Sequence, residues 1–232
     1  MLTLLTYPAG FGQFSLSPFC VKSAYLLQIS GLKWQREDMK DPRKMPHQKL
    51  PVLKTDQGLI AESDAIRAFL ETKGTDFDPG LSDPQKAYAR GLIRMAEDHL
   101  YFHLVLDRWI NDDVWPTIRE QYFDAIPGFL RKFVTNGIRK GLIKGLATQG
   151  LIRVSAQERT DRLEVDLQAL TALLSQSAFL FGDQPTSADF SVAAVLGAMK
   201  STPVRTNLVK RIASDPVLDD YLTRMTQTVP LP

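Results

Sequence analysis

The chain has 232 residues, 44% hydrophobic and 23% charged, an ordinary globular mixture long enough for one large domain or two small ones with separate cores. Its 28 Lys and Arg face 26 Asp and Glu, and the net charge of +2 offers no charge argument for a nucleic-acid partner. The one cysteine, Cys20, excludes an internal disulfide, and the chain has neither a secretory leader nor a run near the roughly 20 apolar residues that span a bilayer, so the expectation is a cytoplasmic protein without a transmembrane segment.

Residues 2–7 (LTLLTY) read as a buried strand ended by Pro8, and residues 8–17, with Gly10 and Gly12, as a loop. Pro18 suits a first helical position with Ser17 as N-cap, and the apolar spacing predicts a helix over 18–30 closed by Gly31. A second strand is expected in 32–37, then loop and short helix in 38–49, where Pro42 and Pro46 stand. Residues 52–54 and 59–60 flank a polar, Gly-ended hairpin turn, and residues 62–73 read as a helix stopped by Gly74. This β-α-β, loop, hairpin, α order suggests a thioredoxin-like layer in residues 1–76. The GTDFDPGLSDP stretch of residues 74–84 is linker-like, with the boundary segment taken as 77–84. Residues 85–232 read as all helix: a long one over 85–111, breaks at Pro116 and Pro127, and helices over 155–177 and 187–200.

Four short motifs occur in order: Ser17-Pro18-Phe19-Cys20-Val21-Lys22, Lys49-Leu50-Pro51-Val52-Leu53, Glu62-Ser63-Asp64-Ala65-Ile66, and the run from Phe181 to Asp189. Each alone is weak. Their order and spacing resemble the glutathione S-transferase superfamily over nearly the whole chain, with the likeness nearest to the branch of metaxin and the failed-axon-connections proteins. The resemblance implies an α/β thioredoxin-like N-terminal domain followed by an all-α C-terminal domain.

It also implies a chemistry. Thioredoxin-like proteins present their reactive group at the N-terminus of the first helix, where the dipole and free N–H groups favour an anion. Here the pattern is S-x-x-C, so the hydroxyl of Ser17 stands where redox relatives carry a thiol, and a dithiol cycle within the chain is impossible. The resemblance makes Ser17 the donor to a glutathione thiolate, with Tyr7 and Ser15 as alternatives and a plain N-cap as the simpler role. Leu50, before an expected cis Pro51, would pair with the cysteinyl backbone of glutathione. Lys49 would meet its glycyl carboxylate or stand as an ordinary solvated lysine, Glu62 would take its ammonium, and Ser63 its γ-glutamyl carboxylate, unless Ser63 only caps the helix. Cys20 reads as a small buried residue. Among Tyr101, Phe102 and Trp109, some would touch a small hydrophobic electrophile, with packing between helices the simpler role for any one of them.

Thr186 and Asp189 form a variant capping box, a structural feature of a helix expected to lie in the second domain's core. His99 and His103 are four apart but lack the acidic companion of a metal motif, so no metal is expected. Gly137, Gly141 and Gly145 recur amid Arg131, Lys132, Arg139, Lys140 and Lys144. That pattern reads as a close-packing helix stripe, an anionic-surface contact, a solvated face or a mobile stretch. The leading expectation is a metal-free transferase, homodimeric by resemblance, that conjugates glutathione to a small hydrophobic electrophile. The alternative is a non-catalytic interaction protein of metaxin type.

Overall fold

The computed structural model describes all 232 residues, Met1–Pro232. Four strands, β1 (Leu2–Thr6), β2 (Trp34–Asp38), β3 (Val52–Thr55) and β4 (Gly58–Ala61), form one sheet in the order β2-β1-β3-β4. β1 is parallel to β2 (Leu4 opposite Arg36) and antiparallel to β3 (Leu4 opposite Leu53), and β3 is antiparallel to β4. As an inner strand covered on both faces, β1 reads as a continuous apolar run instead of an alternating one. The charged strand β2 lies at an edge, where polar side chains block pairing with further chains.

Helix α1 (Pro18–Ile29) crosses from β1 to β2 and α2 (Ser63–Thr72) follows the hairpin. Between β2 and β3 the chain makes two 3-10 turns, Pro42–Lys44 and Pro46–Gln48. This is the thioredoxin-like arrangement expected from the sequence. Everything from α3 onward is helix and connection: α3 (Asp83–Arg94), α4 (Tyr101–Trp109), α5 (Trp115–Tyr122), α6 (Gly128–Gln149), α7 (Ala156–Leu174), α8 (Ser187–Lys200), α9 (Asn207–Ala213) and α10 (Pro216–Thr228). The long helix expected over 85–111 is one rod starting at Asp83, interrupted by a π-helical turn, Met95–Leu100, between α3 and α4.

The core lies between the two layers. In α1, 9 of 12 residues are buried, and in α8, 13 of 14. Each is apolar on nearly all sides because the two helices pack on one another, α1 between the sheet and α8. Tyr25 of α1 meets Phe190 of α8 at 6.1 Å between ring centres, and Phe190 meets Phe77 at 6.3 Å. Phe77 and Asp78, in the stretch read as linker, are buried, and the N–H of Ser187 donates to the Phe77 carbonyl and to Asp78 Oδ1, both at 3.0 Å. The connection is therefore fastened to the start of α8.

Asp189 is fully buried and accepts from the N–H and hydroxyl of Thr186 (2.8 and 2.9 Å), the Leu180 N–H (3.0 Å) and the Tyr221 hydroxyl (3.1 Å). Burial pushes its carboxyl up, against the pull of those donors. One side chain thus caps α8 and ties it to α10.

One reading of the glycine-spaced segment, close helix packing, needs correction. Residues 128–149 form a regular 22-residue helix, closed by Gly150 at φ 106°, despite Gly137, Gly141 and Gly145. A Cβ placed on any of these three would meet nothing within 4 Å, so no neighbouring helix uses them for close approach.

Candidate functional site

A cavity of about 670 Å³ opens between the two layers. Its first wall is built where β1 gives way to α1. Thr6, at the end of β1, donates from its hydroxyl to Ser15 Oγ (3.0 Å). Ser15 donates to the Tyr7 carbonyl (2.9 Å) and accepts from the Ser17 N–H (3.3 Å). Ser15 is buried, does not line the cavity, and folds the loop 8–16 so that Ser17 stands at the mouth of α1.

Ser17 lines the cavity. Its carbonyl accepts from the N–H groups of Cys20 and Val21, both at 3.1 Å, so its backbone occupies the N-cap position. Its hydroxyl forms no capping bond. The simpler role of a side-chain cap is therefore not the one the hydroxyl performs; it lies within hydrogen-bond reach of the Cys20 thiol, at the positive end of a 12-residue helix that borders the cavity. Tyr7 lines the same cavity, and burial raises its phenol well above the ordinary value, with Cys20 adding to the rise, so it stays protonated. Cys20 is fully buried, and burial pushes its thiol up, the opposite of what a nucleophile requires.

Lys49 (exposed), Leu50 (buried) and Glu62 (exposed) continue this wall. The Leu50–Pro51 peptide is cis. The Glu62 N–H donates to the Pro51 carbonyl (3.3 Å) and the Glu62 carbonyl accepts from Ile66 (3.0 Å), which joins β3 to α2 beside the cavity. Glu62 has φ 76°, a left-handed conformation that a non-glycine residue holds only where its surroundings impose it; such positions cluster at ligand-binding sites. Glu62, and not Ser63, is the N-cap residue of α2, and it contributes no side-chain cap. Ser63 is the first helical residue, buried and set back from the cavity lining.

Behind this corner lies a buried ionic cluster. Lys22, 2% exposed, donates to Asp64 (2.7 Å) and to Glu97 (2.6 Å). Arg94 reaches both acids at 2.8 and 2.7 Å, Arg90 reaches Asp64 at 3.1 Å, and the Ser191 hydroxyl donates to Glu97 at 2.8 Å. Partial burial pushes the Asp64 carboxyl up, but Lys22 and Arg94 outweigh it and hold it down at about 2. The cluster joins α1, α2, the π-helical turn and α8, and the turn brings Glu97 and Asp98 to the cavity near Glu62. π-helical turns inside α-helices are rare and frequent at functional sites.

The opposite wall is apolar and comes from α4 and α5. Tyr101, Phe102 and Trp109 line it, together with Leu104, Val105, Tyr122 and Phe123. Tyr101 packs edge-on to Phe19 of α1 at 4.9 Å, and burial raises its phenol to about 12. Trp109 meets Tyr122 at 5.8 Å.

Arg108 and Tyr122 escaped the reading of the sequence. Arg108 is 3% exposed and has no carboxylate partner. It donates from Nε to Thr202 Oγ1 (3.0 Å), from Nη1 to the Tyr122 hydroxyl (2.7 Å), and from Nη2 to the Ala198 carbonyl. A guanidinium cannot shed its charge, so this cation polarises the neutral groups around it. Arg108 and Tyr122 both line the cavity. The proton of the Tyr122 hydroxyl has only the Leu16 carbonyl at 3.4 Å, beyond a good O–H···O bond. At the rim, Lys40 and Asp124 pair at 2.6 Å across the opening.

His99 bonds Asp166 at 2.6 Å through Nδ1, and its ring lies 4.9 Å from that of His103. Burial holds His103 down at about 4, with His99 adding to the effect. No cluster of three or more His, Cys, Asp and Glu suited to a metal occurs.

Residues 18–115 match the family profile of the glutathione S-transferase N-terminal domain, and residues 163–225 that of the glutathione S-transferase C-terminal domain. The chain belongs to the glutathione S-transferase superfamily. It is 28% identical to the isoprene-epoxide–glutathione S-transferase of Rhodococcus sp. (strain AD45), over 97% of this chain and 98% of that protein. It is 30% identical to Failed axon connections of Drosophila melanogaster, over 80% of this chain but only 47% of that longer protein. Its fold superposes on glutathione transferase GSTFuA3 from Phanerochaete chrysosporium with a TM-score of 0.65, at 19% identity, covering 97% of this chain and 96% of that one. The superfamily's two-domain architecture is thus present throughout, and no helix is long and apolar enough to cross a membrane.

Proposed function

We propose that this protein is a glutathione S-transferase that activates glutathione with the Ser17 hydroxyl and conjugates it to a small hydrophobic electrophile. The observation that carries the reading is the two-faced cavity. Ser17 at a helix N-terminus, its hydroxyl making no capping bond, forms one side with Lys49, Leu50 and Glu62; aromatic side chains of α4 and α5 form the other. In this reading Leu50 pairs with the cysteinyl backbone, Lys49 meets the glycyl carboxylate, Glu62 takes the γ-glutamyl ammonium, and the α2 N-terminus at Ser63 takes its carboxylate. A free thiol has a pKa of about 8.5, and lowering it by about 2 units takes about 2.7 kcal/mol. The α1 dipole and one charge-assisted hydrogen bond from Ser17 supply that order of energy.

An epoxide is the electrophile class that best suits the second wall, as the named activity of the Rhodococcus relative also suggests. The thiolate sulfur attacks a ring carbon, the C–O bond breaks with its electron pair going to oxygen, and the Tyr122 hydroxyl gives that oxygen its proton. The Arg108 guanidinium, 2.7 Å from the Tyr122 oxygen, steadies the phenolate until solvent reprotonates it. We expect a cytoplasmic homodimer that needs no metal.

Calorimetric titration with reduced glutathione tests the reading. Binding in the micromolar to millimolar range, weakened by Glu62→Gln, supports it. Absence of binding would leave the fold in place, remove the enzyme, and favour the non-catalytic interaction protein.

A further inference from the structure

Helix α6 stands out in a chain of near-zero net charge. Its Phe129 and Phe133 are 85% and 83% exposed, and Leu130, Val134 and Ile138 beside them are exposed as well. Only Thr135 and Leu146 of its 22 residues are buried. At about 100° per residue, Phe129, Phe133, Gly137, Lys140 and Lys144 share the face opposite those two. No Asp or Glu occurs anywhere in residues 125–157, whereas Arg131, Lys132, Arg139, Lys140, Lys144 and Arg153 do. The ion pairs of this segment all belong to two of them, Arg131 with Glu120 and Arg139 with Asp112, both inward of the open face. Lys132, Lys140 and Lys144 carry uncompensated charge next to the protruding rings.

We propose that α6 is a membrane-surface helix that docks this protein, in the plane of the interface, on anionic lipid. Two adjacent phenylalanines projecting from a helix flanked by unpaired lysines match the requirements of such a surface. The rings enter the boundary between headgroups and acyl chains, to a depth of about 5–10 Å, while the lysine stems lie along it and their ammonium groups meet lipid phosphates. A second copy of this chain is a poorer occupant. A two-fold contact of this face with itself would bring two lysine-bearing surfaces together, with no acid in residues 125–157 to neutralise them. Docking has a consequence for the cavity: Gln121, Tyr122, Phe123 and Asp124 line it immediately before α6, so the bound helix would hold its mouth near the lipid surface.

The test is flotation of the full-length protein with vesicles of phosphatidylcholine alone and of phosphatidylcholine mixed with phosphatidylserine, for wild type, Phe129→Ser/Phe133→Ser, and Lys132→Gln/Lys140→Gln/Lys144→Gln. The expected result is binding to the mixed vesicles that weakens with salt and is far weaker on phosphatidylcholine alone. It should fall about tenfold or more in the phenylalanine variant, and about fivefold for each lysine removed. Both variants alter only exposed side chains, and unchanged thermal unfolding confirms that they fold. Failure of the wild type to float with mixed vesicles overturns the proposal. So does binding that survives loss of both phenylalanines, which would mark simple adsorption of a cation. A wild-type dimer in light scattering that the phenylalanine variant dissolves, without vesicle binding, would assign the face to a second copy and likewise overturn it.

Discussion

The two walls of the cavity are made in different ways. The first is made largely by backbone: a strand end, a helix N-terminus, the bend before β3 and the left-handed turn at Glu62, all within residues 7–62 and each marked by Pro, Ser or Gly nearby. The second is made by side chains of α4 and α5, held by partners distant in sequence; Arg108 reaches Thr202 and Ala198, 94 and 90 residues on. Backbone walls suit an invariant ligand such as a peptide, whose own backbone they pair with. Side-chain walls suit a variable one, because a substitution there reshapes the pocket without disturbing the fold.

Replacing Lys22, which stands at the seam between the walls, should have the largest effect. Lys22→Met leaves Glu97 buried with Arg94 as its remaining cation, and should cost about 3–5 kcal/mol in chemical denaturation. A cost below about 1 kcal/mol would show that the layers do not depend on this ion cluster. On the second wall, Tyr122→Phe should lower turnover of an epoxide about tenfold, near 1.4 kcal/mol of barrier, while leaving the glutathione dissociation constant unchanged. A matching loss of glutathione affinity would erase the division between the walls.

Ser15 and Ser17, two residues apart, sharpen the contrast within the first wall. Ser15→Ala breaks the hydrogen bonds that fold the loop and should cost about 1–2 kcal/mol of stability, whereas Ser17→Ala should leave the unfolding midpoint alone. Acid supplies the smallest effect. Asp64 sits at about 2 against an ordinary 3.8, so its charge stabilises the fold above about pH 4, and that share is lost as pH falls toward 2. The group is 38% exposed, and solvent screening limits its contribution to about 1 kcal/mol. Urea midpoints measured across that window should decline for wild type and stay flatter for Asp64→Asn.

Much of the first wall was legible because its signals are local. Pro18 after Ser17, Pro51 at the start of β3 and Glu62-Ser63 at the start of α2 act within a few residues, and so does the Thr186–Asp189 cap of α8. The near-continuous apolar runs of β1 and α8 announced their burial in the same way. The ion cluster was hidden because Lys22 and Glu97 are 75 residues apart and each alone looks like an ordinary surface charge. Arg108 and Tyr122 were hidden for the same reason. In α6 the individual glycines argued for weakness or close packing, yet 22 residues of cooperative backbone hydrogen bonding override three unfavourable propensities.

The account turns on one group, the Ser17 hydroxyl, and on the ionisation of the thiol it would face. Ultraviolet absorbance of the thiolate, followed through a pH titration of the protein with bound glutathione, reads that ionisation directly for wild type and Ser17→Ala. The account predicts a bound thiol pKa about 2 units below that of free glutathione in wild type, returning most of the way in Ser17→Ala at unchanged fold. An equally depressed pKa in the variant would contradict it and pass the role to Tyr7 or to the helix dipole alone.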